Sequence, residues 1–357
     1  VSPEIQQTIA DTFEHYVSDD FPVGFQSSIQ IDYVSNKEND IIIKITTLFP
    51  CSFELQKVAC LLTEQIGRTI QLELHLDISA VRSHGIKGVK NIIAVASGKG
   101  GVGKSTTAVN LAYALQAEGA KVGLLDADIY GPSIPTLLGL KKQKPSSSDG
   151  KTMIPLDKSG IAAMSIGFLV DESDATVWRG PMASRAFGQL LNETAWPDLD
   201  YLIIDMPPGT GDIQLTLSQN VPVAGAVTIT TPQDIALVDA VKGIAMFDKV
   251  QVPVLGVIEN MSYHVCDNCG HQSHLFGQGG GSSIATNAEA KLLGQLPLNI
   301  NIRQSADQGD SLFENTDNND LAINYRKIAQ NMASELFFNL DMRSNHTAEI
   351  IQVNEIK

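Results

Sequence analysis

A run of glycines and lysines that ends in a hydroxyl residue, GKGGVGKS at 98–105, has the spacing of a phosphate-binding loop. Glycines allow successive backbone N–H groups to point at phosphate oxygens, and a helix that begins directly afterwards adds the positive end of its dipole. Lys104 would neutralise the β- and γ-phosphates, and the Ser105 hydroxyl would ligate Mg²⁺. The residues predicted to bind the nucleotide in this loop are Gly98, Lys99, Gly100, Gly101, Val102, Gly103, Lys104, Ser105 and Thr106.

Lys99, the second residue of the motif, is an unusual addition to such a loop. A cation this early in the loop is poorly placed to reach phosphates bound by its own chain. It reaches a nucleotide on a facing subunit more easily, as an arginine finger supplied in trans does. We therefore predict that Lys99 and Lys104 are both catalytic; the alternative for Lys99 is a solvated surface lysine.

Acidic residues end two further apolar segments. Asp205 follows YLII, while Asp126 and Asp128 lie in LLDADIYGPS. We predict that Asp126 and Asp205 bind Mg²⁺ together with Ser105, and that Asp128 polarises the attacking water; the alternative is a capping or turn role. Asn260, which ends the segment VLGVIEN, is predicted to hydrogen-bond the adenine edge or else to cap the loop that follows.

Cys266 and Cys269 form a CxxC turn just beyond that segment. Such a turn directs two thiolates at one soft metal centre, but zinc and iron–sulfur centres usually have four protein ligands. Three interpretations stay open. His264, His271 and His274 would complete a mononuclear zinc site, the pair would act as a redox dithiol, or a second copy of the chain would supply the other thiolates across a two-fold axis. We favour the third, because the same symmetry would let Lys99 reach across.

Uniformly apolar segments precede these groups, at 91–97, 121–126, 201–205, 224–230 and 254–260. Strands that are buried on both faces have this composition, as in a parallel sheet covered by helices. Ligands of such sheets bind at the carboxyl ends of the strands, where every polar motif above is found. The fold class is therefore predicted to be α/β, with a mostly parallel sheet and helices on both faces.

The domain organisation follows from the composition along the chain. A small α+β domain is predicted over 1–81, with strands at 40–47 and 71–78 and a helix at 53–66. A linker is predicted over 82–90, the nucleotide-binding domain over 91–337 and a polar tail over 338–357.

Bulk properties exclude several classes of function. The chain has 357 residues and a formal net charge of −15, which disfavours a nucleic-acid partner because phosphates need a basic surface. Its apolar runs are shorter than the roughly 18–20 residues that span a membrane, so no membrane partner is expected. Four cysteines in this length do not suggest a disulfide scaffold, and we expect a cytoplasmic location.

Four motifs in this order, GKGGVGKS, DADIYGPS, DMPPGTGD and IENMSYHVCDNCGH, resemble the Mrp/ApbC family. These proteins are iron–sulfur cluster carriers with a deviant Walker A P-loop, related to MinD and ParA. The resemblance covers about 90–337. The N-terminal part is similar to a small iron–sulfur assembly domain, although this chain has Cys51-Ser52 where that domain usually carries Cys-Pro.

The resemblance implies a homodimer with two ATP sites and a labile 4Fe–4S cluster shared between the subunits. Lys99 would then be the signature lysine that acts in trans, and Cys266 and Cys269 would be the cluster ligands. ATP binding or hydrolysis would change the dimer geometry and so modulate delivery of the cluster to apo iron–sulfur proteins.

Overall fold

The structure, a computed structural model, describes residues 1–37, 40–170, 180–314 and 320–338. The chain divides into two compact units, Val1–Ser79 and a second unit that begins at Ala80. Within the described ranges, none of the helices combines the length and the apolar character that crossing a bilayer requires.

The first unit combines helices with a sheet in the order β1-β2-β3. Its elements are α1 (Pro3–His15), β1 (Ile29–Lys37), β2 (Asp40–Thr47), α2 (Ser52–Ile66) and β3 (Ile70–Leu76). β2 pairs antiparallel with β1 and parallel with β3. Ile41, Ile43 and Ile45 are fully buried because alternate side chains of a strand share one face. Gly67 follows the last residue of α2 and caps the helix in the left-handed conformation, with a φ of 72° that favours glycine.

The second unit surrounds a mostly parallel sheet with helices. Its strands are β4 (Val89–Ser97), β5 (Val122–Asp126), β6 (Leu156–Lys158), β7 (Ile161–Ser165), β8 (Leu199–Asp205), β9 (Gly225–Thr230), β10 (Val254–Val265), β11 (Gln272–Ser273) and β12 (Lys291–Pro297). Its helices are α3 (Lys104–Ala117), α4 (Ile134–Leu137), α5 (Gly180–Asn192), α6 (Asp212–Asn220), α7 (Asp234–Lys249), α8 (Gly280–Asn287), α9 (Ile300–Gln308) and α10 (Asp320–Phe338).

The strand order is β11-β10-β9-β4-β8-β5-β7-β6, and β12 also pairs with β10. β4, β5, β8, β9 and β10 are parallel to their neighbours in the centre of the sheet, while β6 and β11 are antiparallel additions. Every residue of β5, β8 and β9 is buried. The predicted α/β class is confirmed, since helices cover strands whose apolar side chains point to both faces.

Several predicted boundaries differ from the structure. Val89 and Lys90, assigned to the linker, belong to β4, and Arg82 donates to the carbonyl oxygen of Val223 at 3.2 Å. The linker segment is therefore attached to the second unit. β1 was not predicted, because IQIDYVSNK alternates only partly between apolar and polar residues. The predicted tail lies outside the described residues except for Phe338, which ends α10.

Candidate functional site

The phosphate-binding loop joins β4 to α3 at the carboxyl edge of the sheet. Gly101 and Gly103 adopt φ values of 85° and 83°, which residues with a Cβ rarely adopt. Gly98 is required for a different reason, because a Cβ there would lie 2.1 Å from the backbone carbonyl of Asp239 in α7. The first glycine of the loop thus lets β4 pack directly against α7.

Asn260 holds the loop from a neighbouring strand. Its Nδ2 donates to the carbonyl oxygen of Val102 at 2.9 Å, and a Cβ on Gly103 would lie 2.2 Å from the same nitrogen. The prediction that a strand ends at Asn260 was wrong, since β10 continues to Val265. The amide therefore contacts the loop itself, and an adenine contact stays a prediction.

Lys104 and Asp205 form a buried ion pair beneath the loop. The two side chains are 6% and 0% exposed, and the Lys104 ammonium also donates to Ser105 Oγ at 3.1 Å. Within the described part of the chain, Asp205 Oδ2 is buried without a hydrogen-bond partner. Burial raises the pKa of Asp205, and the neighbouring ammonium opposes this shift.

Asp126 organises the loop that follows β5. Its carboxylate accepts hydrogen bonds from the backbone N–H groups of Asp128 and Ile134, at 3.1 and 3.2 Å, and from Ser165 Oγ at 3.0 Å. Burial raises the pKa of Asp126 to about 8, and the nearby Asp205 carboxylate adds to the shift. With this pKa, Asp126 is largely protonated near neutral pH, and Lys104 and Asp205 balance each other's charge. The orphaned Asp205 oxygen is an oxygen ligand of the kind that fits a divalent cation, and such a cation would favour the ionised form of Asp126.

A cavity of about 270 Å³ lies over the loop. Lys99, Lys104, Ser105, Thr106 and Asp128 line it, together with three loop glycines. Asp128 is half-buried, and its carboxylate accepts a hydrogen bond from the backbone N–H of Gly131 at 3.3 Å. Asp126, in contrast, does not border this cavity.

Lys99 is fixed through its backbone, whereas its side chain is half-buried at the rim. Ser97 Oγ donates to the carbonyl oxygen of Lys99 at 2.9 Å, and Gly209 N donates to the carbonyl of Ser97 at 3.0 Å. The loop that follows β8 is therefore tied to the phosphate-binding loop. Action of Lys99 in trans stays a prediction.

Sequence reasoning missed two polar residues of this edge. Ser165, fully buried at the end of β7, donates to Asp126 and accepts from Gly167 N at 3.0 Å. Glu259, next to Asn260 in β10, is fully buried and accepts from Ser262, Gln295 and the N–H of Gly281 in α8. A serine that ends an apolar segment, as in IAAMS, was the available signal for Ser165.

The cysteine pair lies on a hairpin at the far end of β10. β10 and β11 pair at His264–Ser273 and Val265–Gln272, and Cys266 N donates to the carbonyl oxygen of His271 at 3.0 Å. Cys269 is exposed and Cys266 is half-buried. Hydrogen bonds from the backbone N–H groups of Asn268 and Cys269 lower the pKa of the Cys266 thiol, which favours the thiolate that binds metals.

The histidines do not complete a metal site around this pair. His274 Nδ1 lies 3.0 Å from the carbonyl oxygen of Ser262, a bond that anchors the hairpin to β10. Among the described residues, no group of three or more His, Cys, Asp or Glu side chains is arranged to hold a metal ion. One chain therefore offers two thiolates at the tip of an exposed hairpin.

The comparisons with known proteins agree with this geometry. A family model described as ParA, the NUBPL iron-transfer P-loop NTPase, matches residues 88–333. The chain belongs to this family. The resemblance to the iron–sulfur carriers with a deviant P-loop is thereby confirmed.

Individual members and neighbours of the family point the same way. The iron–sulfur cluster carrier protein of Escherichia coli strain K12 is 61% identical over 292 residues, which are 81% of this chain and 78% of that protein. A nucleotide-binding protein from Archaeoglobus fulgidus, solved with ADP, shares 40% identity with a TM-score of 0.56 over 63% of this chain and 88% of its own. The cell division ATPase MinD of Pyrococcus furiosus, at 20% identity and a TM-score of 0.51, covers 68% of this chain and 98% of its own; it shares the fold.

Proposed function

We propose that this chain is an ATP-hydrolysing iron–sulfur cluster carrier that binds a labile 4Fe–4S cluster between two copies of itself and transfers it to apo-proteins. The names of relatives support the cluster as cargo, since the Escherichia coli protein is called an iron–sulfur cluster carrier protein. The carried cluster is a substrate of the protein rather than a resident cofactor.

One observation carries the proposal: β10 bears both sites. Asn260 on this strand holds the phosphate-binding loop through Val102, and Cys266 follows the end of the same strand. Six positions along the chain separate Asn260 from Cys266, with a bend at Met261, whose φ is 55°. A change of the loop on nucleotide binding would therefore reach the base of the cysteine hairpin through a short covalent path. ATP turnover and cluster handling are thus linked by one element.

The chemistry at the nucleotide site follows from the residues over the cavity. The loop N–H groups and the dipole of α3 bind the phosphates, and Lys104 exchanges its bond with Asp205 for the β- and γ-phosphates. Mg²⁺ held by Ser105 and Asp205 would supply charge neutralisation. Asp128 would accept a proton from the attacking water, and Lys99 of the second copy would stabilise charge on the leaving phosphate.

The cluster is best tested by anaerobic reconstitution with iron and sulfide, followed by visible absorbance and iron counting. We expect about four irons per dimer for the wild type, because the four thiolates of two copies would bind one 4Fe–4S cluster. Cys266→Ala and Cys269→Ala should lose the cluster, whereas Cys60→Ala, another exposed cysteine, should keep it. A full cluster on Cys266→Ala, or zinc in place of iron after anaerobic purification, would contradict the proposal.

Delivery and hydrolysis in trans need separate measurements. Activation of an apo 4Fe–4S enzyme by the loaded protein reports transfer. For hydrolysis, Lys99→Ala and Lys104→Ala should each release almost no phosphate. In a 1:1 mixture, half of the dimers carry one intact site of two, so we expect about a quarter of the wild-type rate. No recovery on mixing, after subunit exchange is verified, would contradict action in trans.

A positioning ATPase of the MinD or ParA type is the alternative function. It would bind a membrane or DNA, whereas the net charge of −15 repels both anionic surfaces. We therefore propose a cytoplasmic carrier without nucleic-acid or membrane partners. Co-sedimentation of the ATP-bound protein with anionic liposomes or duplex DNA would overturn this assignment.

A further inference from the structure

The exposed face of α7 carries an apolar stripe that the nucleotide site does not use. Ile235, Val238 and Val241 are 66%, 56% and 49% exposed, and their spacing of three residues places them along one side of the helix. Opposite them, Ala240, Ile244 and other buried residues pack onto the sheet. Exposed apolar stripes of this kind mark interaction surfaces.

Both incomplete features of the chain adjoin this helix. Gly98 packs against the backbone of Asp239, so the loop segment that carries Lys99 begins at α7. The segment that follows the cysteine hairpin also returns to the start of α7, where the Cβ position of Gly277 is 3.4 Å from the carbonyl oxygen of Pro232. Leu275 in that segment is a further apolar residue with 60% exposure.

We propose that the occupant of this stripe is a second copy of α7, packed antiparallel across a two-fold axis near Val241. This inference rests on the proposed dimeric function and names its contact surface. Each copy then covers the apolar stripe of the other while it supplies what the other lacks, namely Lys99 and a pair of thiolates.

Charges at the two ends of this face favour the arrangement, while Lys242 near its centre is paired within its own chain, 3.0 Å from Asp239. Asp234 lies in the first turn of α7 and Lys249 in the last turn, and both are exposed. In an antiparallel pair, Asp234 of one copy faces Lys249 of the other, and Val238 faces Ala245. An isologous contact requires such self-complementarity, because each residue i that meets j also has j meeting i. The antiparallel helix dipoles add to the attraction.

The first test is sedimentation equilibrium, with iron analysis, of the full chain reconstituted anaerobically with iron and sulfide in the presence of ATP and Mg²⁺. We expect a wild-type dimer, and a Val238→Glu variant whose dimer dissociation constant is raised about 30-fold or more, as for a central interface residue. Ile300→Glu is the matched control, since Ile300 in α9 is also 56% exposed, and it should behave as the wild type. Circular dichroism verifies that both variants are folded.

The outcomes separate the two proposals. A Val238→Glu variant that stays dimeric with full iron overturns the α7 contact and leaves the cluster-bridging dimer intact. A wild-type chain that binds iron and ATP as a monomer overturns both.

The second test addresses the antiparallel register. Asp234→Lys and Lys249→Asp should each weaken the dimer about threefold to tenfold, and the double variant should restore it. The double variant inverts both interactions with the helix dipole, so a purely structural role of these charges predicts a less stable helix and no recovery. Weakening in both single variants without recovery in the double variant overturns the register.

Discussion

The phosphate-binding loop and the cysteine hairpin use the same strand in opposite ways. At the loop, side chains from β4, β5, β7, β8 and β10 converge, and Lys104, Asp205 and Asp126 are almost fully buried. At the hairpin, one thiol is exposed and the other half-buried, and the hairpin is held by its pairing with β11 and by the contact of His274 with Ser262. The first site is preorganised within one chain, whereas the second offers two of the four thiolates that the proposed cluster would need.

The difference agrees with what each site must do. A site that stabilises charge during phosphoryl transfer gains from burial, because electrostatic interactions are stronger away from water. A site that releases its cargo gains from exposure, since clusters with few protecting contacts are lost more easily. The proposed function would thus place hydrolysis in the buried site and cluster exchange at the exposed one.

The largest expected effects test whether each site keeps its own function when a residue of the other site is changed. Lys104→Ala should reduce phosphate release about 100-fold to 1,000-fold, because a charge-stabilising group is lost, yet it should retain iron. Cys269→Ala should show the reverse. Both are measured by phosphate release and iron counting on the same preparations. If Lys104→Ala lost iron while its thermal unfolding stayed unchanged, iron binding at the hairpin would require an intact phosphate-binding loop.

Asn260→Ala tests the connection through β10. Removing the amide leaves the carbonyl of Val102 unsatisfied, which should cost about 1–3 kcal/mol of stability, and the loosened loop should raise KM for ATP about tenfold. Asn331→Ala is the control. Asn331 lies in α10, and its Nδ2 also donates to a backbone carbonyl, that of Leu293 in β12, at 3.3 Å. An equal change of KM in both variants would argue against a specific role for Asn260.

Ser165→Ala tests the support of Asp126. Loss of its hydrogen bond should destabilise the protein by about 1 kcal/mol and raise the Mg²⁺ concentration needed for half-maximal hydrolysis. Ser334→Ala removes another buried serine, whose Oγ donates to the carbonyl of Asn331, and should leave the Mg²⁺ dependence unchanged. A Ser165→Ala variant with wild-type Mg²⁺ dependence would show that Asp126 does not depend on this hydroxyl.

The smallest expected effect concerns the histidines of the hairpin. A variant with alanine at 264, 271 and 274 should bind the same amount of iron as the wild type, because among the described residues these rings and the cysteines form no group arranged to hold a metal ion. Metal analysis after anaerobic reconstitution measures this. A large loss of iron or zinc would revive the mononuclear zinc interpretation.

The comparison also shows which interactions could be predicted. The phosphate-binding loop, Asp126 and Asp205 were recognisable because the strand–loop–helix pattern is local, and parallel strands bring their carboxyl ends to one edge. The contact between Asn260 and Val102 was not, because it joins residues 158 positions apart and depends on the pairing of β10 beside β9. Ser165 was missed for the same reason, since its partner Asp126 lies on another strand.

The sequence by itself determined the α/β class, and it predicted a phosphate-binding loop and a pair of thiols suited to a soft metal. These follow from residue type and short spacing, which local backbone geometry translates directly into chemistry. Tertiary structure alone decided that β10 carries both the restraint on the loop and the hairpin, and that α7 packs against Gly98 while its apolar stripe stays exposed. Such relations depend on strand order and packing, and these are set by burial of the whole sheet rather than by any single motif.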